Sequence, residues 1–170
     1  MDHQRRRPKS GQAGVIFIGA DHRGYALKKK ISNFLRKDGY VLVDVGTHKP
    51  QEKCDYPEFS YEVAKGVADN PGSRGILVCL TGIGHSMAAN KVPGVRAALC
   101  YNPLAARLSR SHNNANVLIV GSRFVSPKEI WNIVKVWLKT KFEAGRHLRR
   151  VRQIHEIEEK FVRAQGEGRK

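Results

Sequence analysis

In the stretch "GILVCLTGIGHS" (75–86), four apolar residues lead into Cys79, and a loop carrying Gly82 and Gly84 follows. A cysteine at a strand end is either a small buried residue or a thiol placed for reaction. The loop bears on the choice. Gly82 and Gly84 let backbone approach a ligand with no Cβ in the way. Their N–H groups can face an anion or stabilise a thiolate. The loop is neither a phosphate-binding GxxxxGK[ST] nor a complete GxGxxG, because Met87 occupies the third glycine position. With a reference pKa of about 8.5, lowered by a helix N-terminus or by cations, a cysteine can serve as a base near neutral pH. Thr81 either orients that thiol, contacts a ligand hydroxyl or satisfies its own loop.

Other titratable residues stand at comparable places. Asp21-His22 follow the first apolar run, as a helix cap or as ligand contacts. His112 ends a helical segment, as a surface cap or as a proton carrier with a reference pKa of about 6.5. Arg146 and Arg150 are spaced i,i+4, so a helix puts them on one face, where two guanidinium groups suit a phosphate dianion or a solvated basic surface.

These residues need a frame, and two patterns alternate along the chain. Short β-branched runs at 15–20, 40–46, 75–80, 95–101 and 115–121 read as strands. Between them, 22–39, 57–70, 84–92 and 102–112 read as helices, and 126–142 follows the last strand. Proline at 57, Asn102-Pro103 and Ser126-Pro127 are helix starts, and Gly39 is a stop. Strand–helix alternation predicts a doubly wound α/β sandwich of three layers around a five-stranded parallel sheet. In such sheets ligands bind beyond the strand carboxyl ends, where Asp21, His22, Cys79 and Arg123 fall. The domain is expected over 14–142. A C-terminal helix over 143–163 carries an apolar stripe of Leu148, Val151, Ile154, Ile157 and Phe161/Val162, which suits packing on a partner subunit. Segments 1–13 and 164–170 read as disordered tails.

The formal net charge is +16, which attracts anionic partners without choosing among nucleic acid, acidic membrane and phosphorylated metabolites. Residues 1–10 hold net +3 and residues 141–170 net +4. No nucleic-acid motif or aromatic-rich basic face accompanies the charge. No apolar run nears the roughly 20 residues of a membrane span. Cys54, Cys79 and Cys100 are odd in number and widely spaced, so neither a disulfide framework nor a zinc ribbon is expected. A cytoplasmic protein is the expectation.

From about residue 15 to 158 the chain resembles ribose-5-phosphate isomerase type B and its relatives, the galactose- and allose-phosphate isomerases. The carriers are "GADHRGYALK", "DVGT", "DYPEFSYEVA", "ILVCLTGIGHSMAANKVPGVRAALC", "ARLSRSHNNANVL", "GSR" and "FEAGRHLRRV". The resemblance implies aldose–ketose isomerisation of a phosphosugar through a cis-enediolate, with no metal and no cofactor. It implies that Cys79 moves a proton between C1 and C2 and that His112 opens the sugar ring. It implies sugar contacts from Asp21, His22, Tyr56 and Asn113, and enediolate contacts from Leu80, Gly82, Ile83 and Gly84. Phosphate contacts fall on Arg123, Arg146 and Arg150. Some of these come from a neighbouring subunit in the family, implying a homodimer or a dimer of dimers.

Two positions depart from the family's pattern. Leu80 stands where many relatives carry glycine, an expected cost if that position needs positive φ. His85 stands where another branch has a glutamate base, and reads as a second base, a sugar-tail contact or a residue facing water. The simplest substrate pair is ribose 5-phosphate and ribulose 5-phosphate. The alternatives are six-carbon sugar phosphates, a nucleic-acid binder acting through basic tails, and a metal hydrolase using Cys79, His85 and His112.

Overall fold

The computed structural model describes residues 14–167, so the expected tail at 1–13 and residues 168–170 lie outside the described residues. Five strands and six helices alternate: β1 (Ile16–Ala20), α1 (Tyr25–Lys37), β2 (Leu42–Asp44), α2 (Tyr56–Asp69), β3 (Arg74–Cys79) and α3 (Ile83–Ala89) come first. Then come β4 (Ala97–Leu99), α4 (Pro103–Ser111), β5 (Val117–Gly121), α5 (Pro127–Lys139) and α6 (Gly145–Glu167). The strands form one parallel sheet in the order β2-β1-β3-β5-β4.

Strand alternation sends successive side chains to opposite faces. Ile76, Val78, Leu118 and Val120 join Ile31, Ile130 and Trp137 in a core under α1, α4 and α5. Leu77, Val117 and Ile119 join Val63, Ala64 and Ala89 in a second core under α2 and α3. Both faces are covered, which is why the strands lack a polar side. The helix faces follow from the strand order. Steps β1→β2 and β4→β5 run one way across the sheet, and β2→β3 and β3→β4 run the other. Right-handed crossovers then put α1 and α4 on one face and α2 and α3 on the other.

Local signals act as the sequence suggests. Asn102 Oδ1 accepts from the Ala105 N–H at 2.8 Å, and Ser126 with Glu129 forms a capping box. Gly39 (φ +85°) ends α1. Helix α1 starts three residues later than expected, because Asp21 Oδ1 accepts from the Gly24 N–H at 2.9 Å and closes a turn before it. The edge strands β2 and β4 are shorter than their apolar runs, having a neighbour on one side only. Helix α6 extends beyond the expected end at 163, to Glu167. Its Ile154, Ile157, Phe161 and Val162 are exposed.

One buried ion pair ties α1 to β2. Lys28 Nζ lies 2.6 Å from Asp44 Oδ1 and also donates to Thr47 O at 2.9 Å. Removing one partner from such a pair costs about 3–5 kcal/mol, since the other charge is then stranded. The contact fixes the carboxyl end of β2, from which the loop to Tyr56 departs. Among the described residues no helix is long and apolar enough to cross a membrane.

Candidate active site

The chain leaves β1 in one direction across the sheet and β3 in the other. A crevice opens between their carboxyl ends, the switch point where open α/β sheets bind ligands. A cleft of about 700 Å³ lies there, lined by Asp21, His22, Tyr56, Cys79, Leu80, Thr81 and Gly84. Arg23, Lys53, Cys54 and Asp55 also line it. Arg23 follows Asp21-His22 after β1, and Lys53, Cys54 and Asp55 belong to the charged run "EKCDYP" after β2. His22 Nδ1 holds that run in place, accepting from the Cys54 N–H at 3.3 Å.

Cys79 ends β3 and is 8% exposed, with its thiol donating to Asp21 Oδ2 at 3.7 Å. Burial pushes the Cys79 thiol up, against the pull of the Gly82 N–H, and the Asp21 charge pushes it further. The N–H groups of Leu80 and Thr81 pull it down more weakly. The expected donors are therefore present, but the net direction is opposite to the lowering expected from the loop. A thiol in an apolar strand end pays desolvation that three amides do not cancel. In the free protein, thiolate must therefore grow with pH beyond the ordinary thiol range. Iodoacetamide labelling of Cys79, followed by peptide mass spectrometry, is expected to accelerate still between pH 8 and 9. A plateau below pH 8 would contradict this.

The loop takes its shape from two glycines. Gly82 has φ +84°, and a Cβ on Gly84 would lie 2.4 Å from the Tyr56 ring. Leu80 does not have positive φ, so the expected conformational cost is absent. Thr81 Oγ1 accepts from the Ile83 N–H at 3.4 Å, and its carbonyl accepts from Tyr101 OH at 3.1 Å, satisfying the loop itself. Ile83 is exposed. The Arg123 N–H donates to Leu80 O at 2.8 Å, which brings the β5 loop beside the thiol loop, while the Arg123 side chain is exposed.

His85, in the first turn of α3, is fully buried, which corrects the reading that it faces water. Its Nδ1 lies 2.6 Å from Ser60 Oγ, whose hydroxyl donates to Tyr56 O at 3.0 Å. Since that hydroxyl has one proton, Nδ1–H donates to Ser60 and Nε2 carries no proton. Nε2 is buried without a hydrogen-bond partner. Burial lowers His85 from 6.5 to about 4, with Asp21 opposing. A depressed histidine stabilises the fold fully above its unfolded value, and that stability is lost as pH falls from about 6.5 towards 4. The loss is about 3 kcal/mol. His85→Leu is expected to flatten urea-measured stability over this window; an unchanged acid slope would contradict the assignment.

The remaining expected residues lie elsewhere. His112 caps α4 and stacks on His147 with centroids 4.1 Å apart and planes 8° apart. His112 Nε2 is 3.8 Å from Glu143 Oε2. Burial, together with the charges of His112, Arg146 and Arg150, pushes His147 down. Arg146 and Arg150 project exposed from the start of α6. His112, Arg146 and Arg150 thus form a second basic group that does not line the thiol cleft. Asn113 lines a different cleft with Arg96 and Ile154. Two trios have donor types that suit a divalent metal: Asp21, Cys79 and His85, and His112, Glu143 and His147, each with its ligand atoms within 4.8 Å.

The crevice gathers a thiol, a carboxylate and an imidazole at the switch point of a three-layer α/β fold. The chain belongs to the Ribose/Galactose Isomerase family, which it matches over residues 16–154. It is 44% identical over 145 residues to ribose-5-phosphate isomerase B of Escherichia coli K12, covering 85% of this chain and 97% of that one. The fold superposes with a TM-score of 0.83 on ribose-5-phosphate isomerase B of Clostridium thermocellum, at 50% identity, covering 86% of this chain and 99% of that one. It superposes equally, at 0.83 and 45% identity, on the Mycoplasma genitalium ribose-5-phosphate isomerase B with bound ribulose-5-phosphate, covering 87% and 98% of the two chains.

Proposed function

We propose that this protein interconverts ribose 5-phosphate and ribulose 5-phosphate through a cis-enediolate. The observation that carries the reading is the Cys79 sulfur at the switch-point cleft, beside Asp21 and the amides of Leu80, Thr81 and Gly82. Its family relatives include the ribulose-5-phosphate-bound Mycoplasma genitalium isomerase.

Cys79 takes the proton from C2 of the open-chain aldose as thiolate, and the carbonyl oxygen at C1 becomes anionic. Amides of the Leu80–Gly84 loop stabilise that oxygen, as preorganised donors do for developing charge. Cys79 then returns its proton to C1, while the C2 hydroxyl proton passes to O1, so that C2 becomes the carbonyl and C1 the hydroxymethyl of the ketose. His112 passes a proton to or from the ring oxygen. Asp21, His22 and Tyr56 hold the sugar, with Thr81 ordering the loop, and Asn113 approaches it beside His112 from the partner subunit. Arg123, Arg146 and Arg150 take the phosphate. The chemistry needs no metal and no cofactor.

In this reading a homodimer completes the site. Two features support it: His112, Arg146 and Arg150 lie apart from the thiol cleft of their own chain, and α6 leaves Ile157 and Phe161 each 67% exposed. A partner's basic group facing this chain's Cys79 supplies the missing half, and two such dimers can pair. Three free cysteines suit a reducing cytoplasm.

The test is direct product detection with ribose 5-phosphate, allose 6-phosphate and galactose 6-phosphate. Ribulose 5-phosphate is expected as the fastest-formed product. Faster turnover of a six-carbon sugar would reassign the substrate, and no product from any would remove the isomerase reading.

A further inference from the structure

At the opposite edge of the sheet, three arginines converge where no ligand of the isomerase is expected. Arg74 opens β3, Arg96 immediately precedes β4 and Arg110 sits in the last turn of α4. With Gly72, Gly94 and Asn114 they line a cleft of about 460 Å³, within the usual size range for a small-molecule site. We propose that this cleft binds a small phosphate- or diphosphate-bearing anion at a site separate from the catalytic one.

Each guanidinium is held in place along part of its edge. Arg74 Nη1 donates to Leu138 O at 2.6 Å, and Arg96 Nε donates to Asn114 O at 3.1 Å. Arg110 Nη1 donates to Ala115 O and, at 3.0 Å, to Asn114 Oδ1. Arg74 and Arg110 each sit 5.5 Å from the centre of the buried Trp137 ring. The heads are thus fixed before a ligand arrives, and their Nη2 groups take no part in these bonds. Planar guanidinium groups with free N–H donors match phosphate oxygens.

Nor is any of the three charges neutralised by direct pairing. Among the described residues no carboxylate forms an ion pair with any of the three. Glu158 acts on Arg96 from the rim, with its Oε2 accepting from the Gly94 N–H at 2.8 Å. Arg110 is 7% exposed and its Nε is buried without a partner. Burial, with the charges of Arg74 and Arg96, pushes Arg110 down to about 10. A dianion seated among the three removes that repulsion. The cleft lies at the strand amino ends, away from the carboxyl-end crevice that holds Cys79.

The experiment is calorimetric titration of inorganic pyrophosphate into the full chain at constant ionic strength. At least one pyrophosphate site per chain is expected, the one that Arg74 and Arg96 hold. Arg74→Gln and Arg96→Gln are each expected to weaken binding at least about tenfold, the loss of a charge-assisted contact, with turnover of ribose 5-phosphate unchanged. No binding to the wild type, or equal binding to the wild type and both variants, would overturn the proposal. If Arg74→Gln loses its circular dichroism signature, the wild type and Arg96→Gln decide the matter. Should ribose 5-phosphate prove not to be the substrate, the variants still separate this cleft from any other anion site.

Discussion

Cys79→Ala is expected to lower kcat for ribose 5-phosphate by about 10²–10⁴-fold, the range that a positioned acid–base group supplies. The side chain is 8% exposed in a well-packed strand end, so alanine removes one sulfur and little else. The stability cost is about 1 kcal/mol, and circular dichroism is expected to show an intact fold. KM is expected to change little, because sugar and phosphate contacts fall on other residues. Cys79→Ser is expected to be nearly as slow, since a hydroxyl is a far weaker acid than a thiol and gives almost no anion at neutral pH. Activity of Cys79→Ala within tenfold of wild type would remove the sulfur from the proton path.

His112→Ala is expected to slow turnover of cyclic ribose 5-phosphate by about 10²-fold. It is expected to leave enolisation untouched. Ribulose 5-phosphate separates the two steps, because its C5 oxygen carries the phosphate and cannot close a ring on C2. Exchange of its C1 proton with deuterated solvent therefore needs no ring opening. Near-normal exchange with slow ribose turnover is the expected pattern for His112→Ala. Equal loss of both would show that His112 acts in enolisation or in holding the site together, for instance through its stack on His147.

Much of the frame could be read from residues alone. Strand–helix alternation, Asn102-Pro103, Ser126-Pro127 and Gly39 each encode a local choice that the fold keeps. The place of β5 between β3 and β4 could not be read, because strand order depends on contacts between distant segments. The length of the edge strands was missed for a related reason: an apolar run does not tell how many of its residues find a partner.

The site divides the same way. Cys79 at a strand end, with Gly82 and Gly84 after it, was legible as a thiol beside backbone donors. The direction of its acidity was not, since burial outweighs the amides and becomes visible only in three dimensions. His85 shows the same limit. Its hydrogen bond to Ser60 joins α3 to α2, and nothing in "GIGHS" announces it. Lys53, Cys54 and Asp55 reach the cleft because the β2–α2 loop folds back over the β1 end, a matter of chain path rather than motif. The separation of His112, Arg146 and Arg150 from the cleft could likewise not be read from i,i+4 spacing, which sets a shared face and not its neighbour.

The central claim is that a carbon-bound proton leaves the sugar and returns by way of a protein base. Isomerisation of ribose 5-phosphate in heavy water, with the ribulose 5-phosphate examined by NMR, tests it most directly. The account predicts deuterium at C1 of the product, delivered by a thiol that exchanges with solvent. Full conversion with no deuterium at C1 would mean that hydrogen passes directly between the carbons as hydride, and would contradict the account.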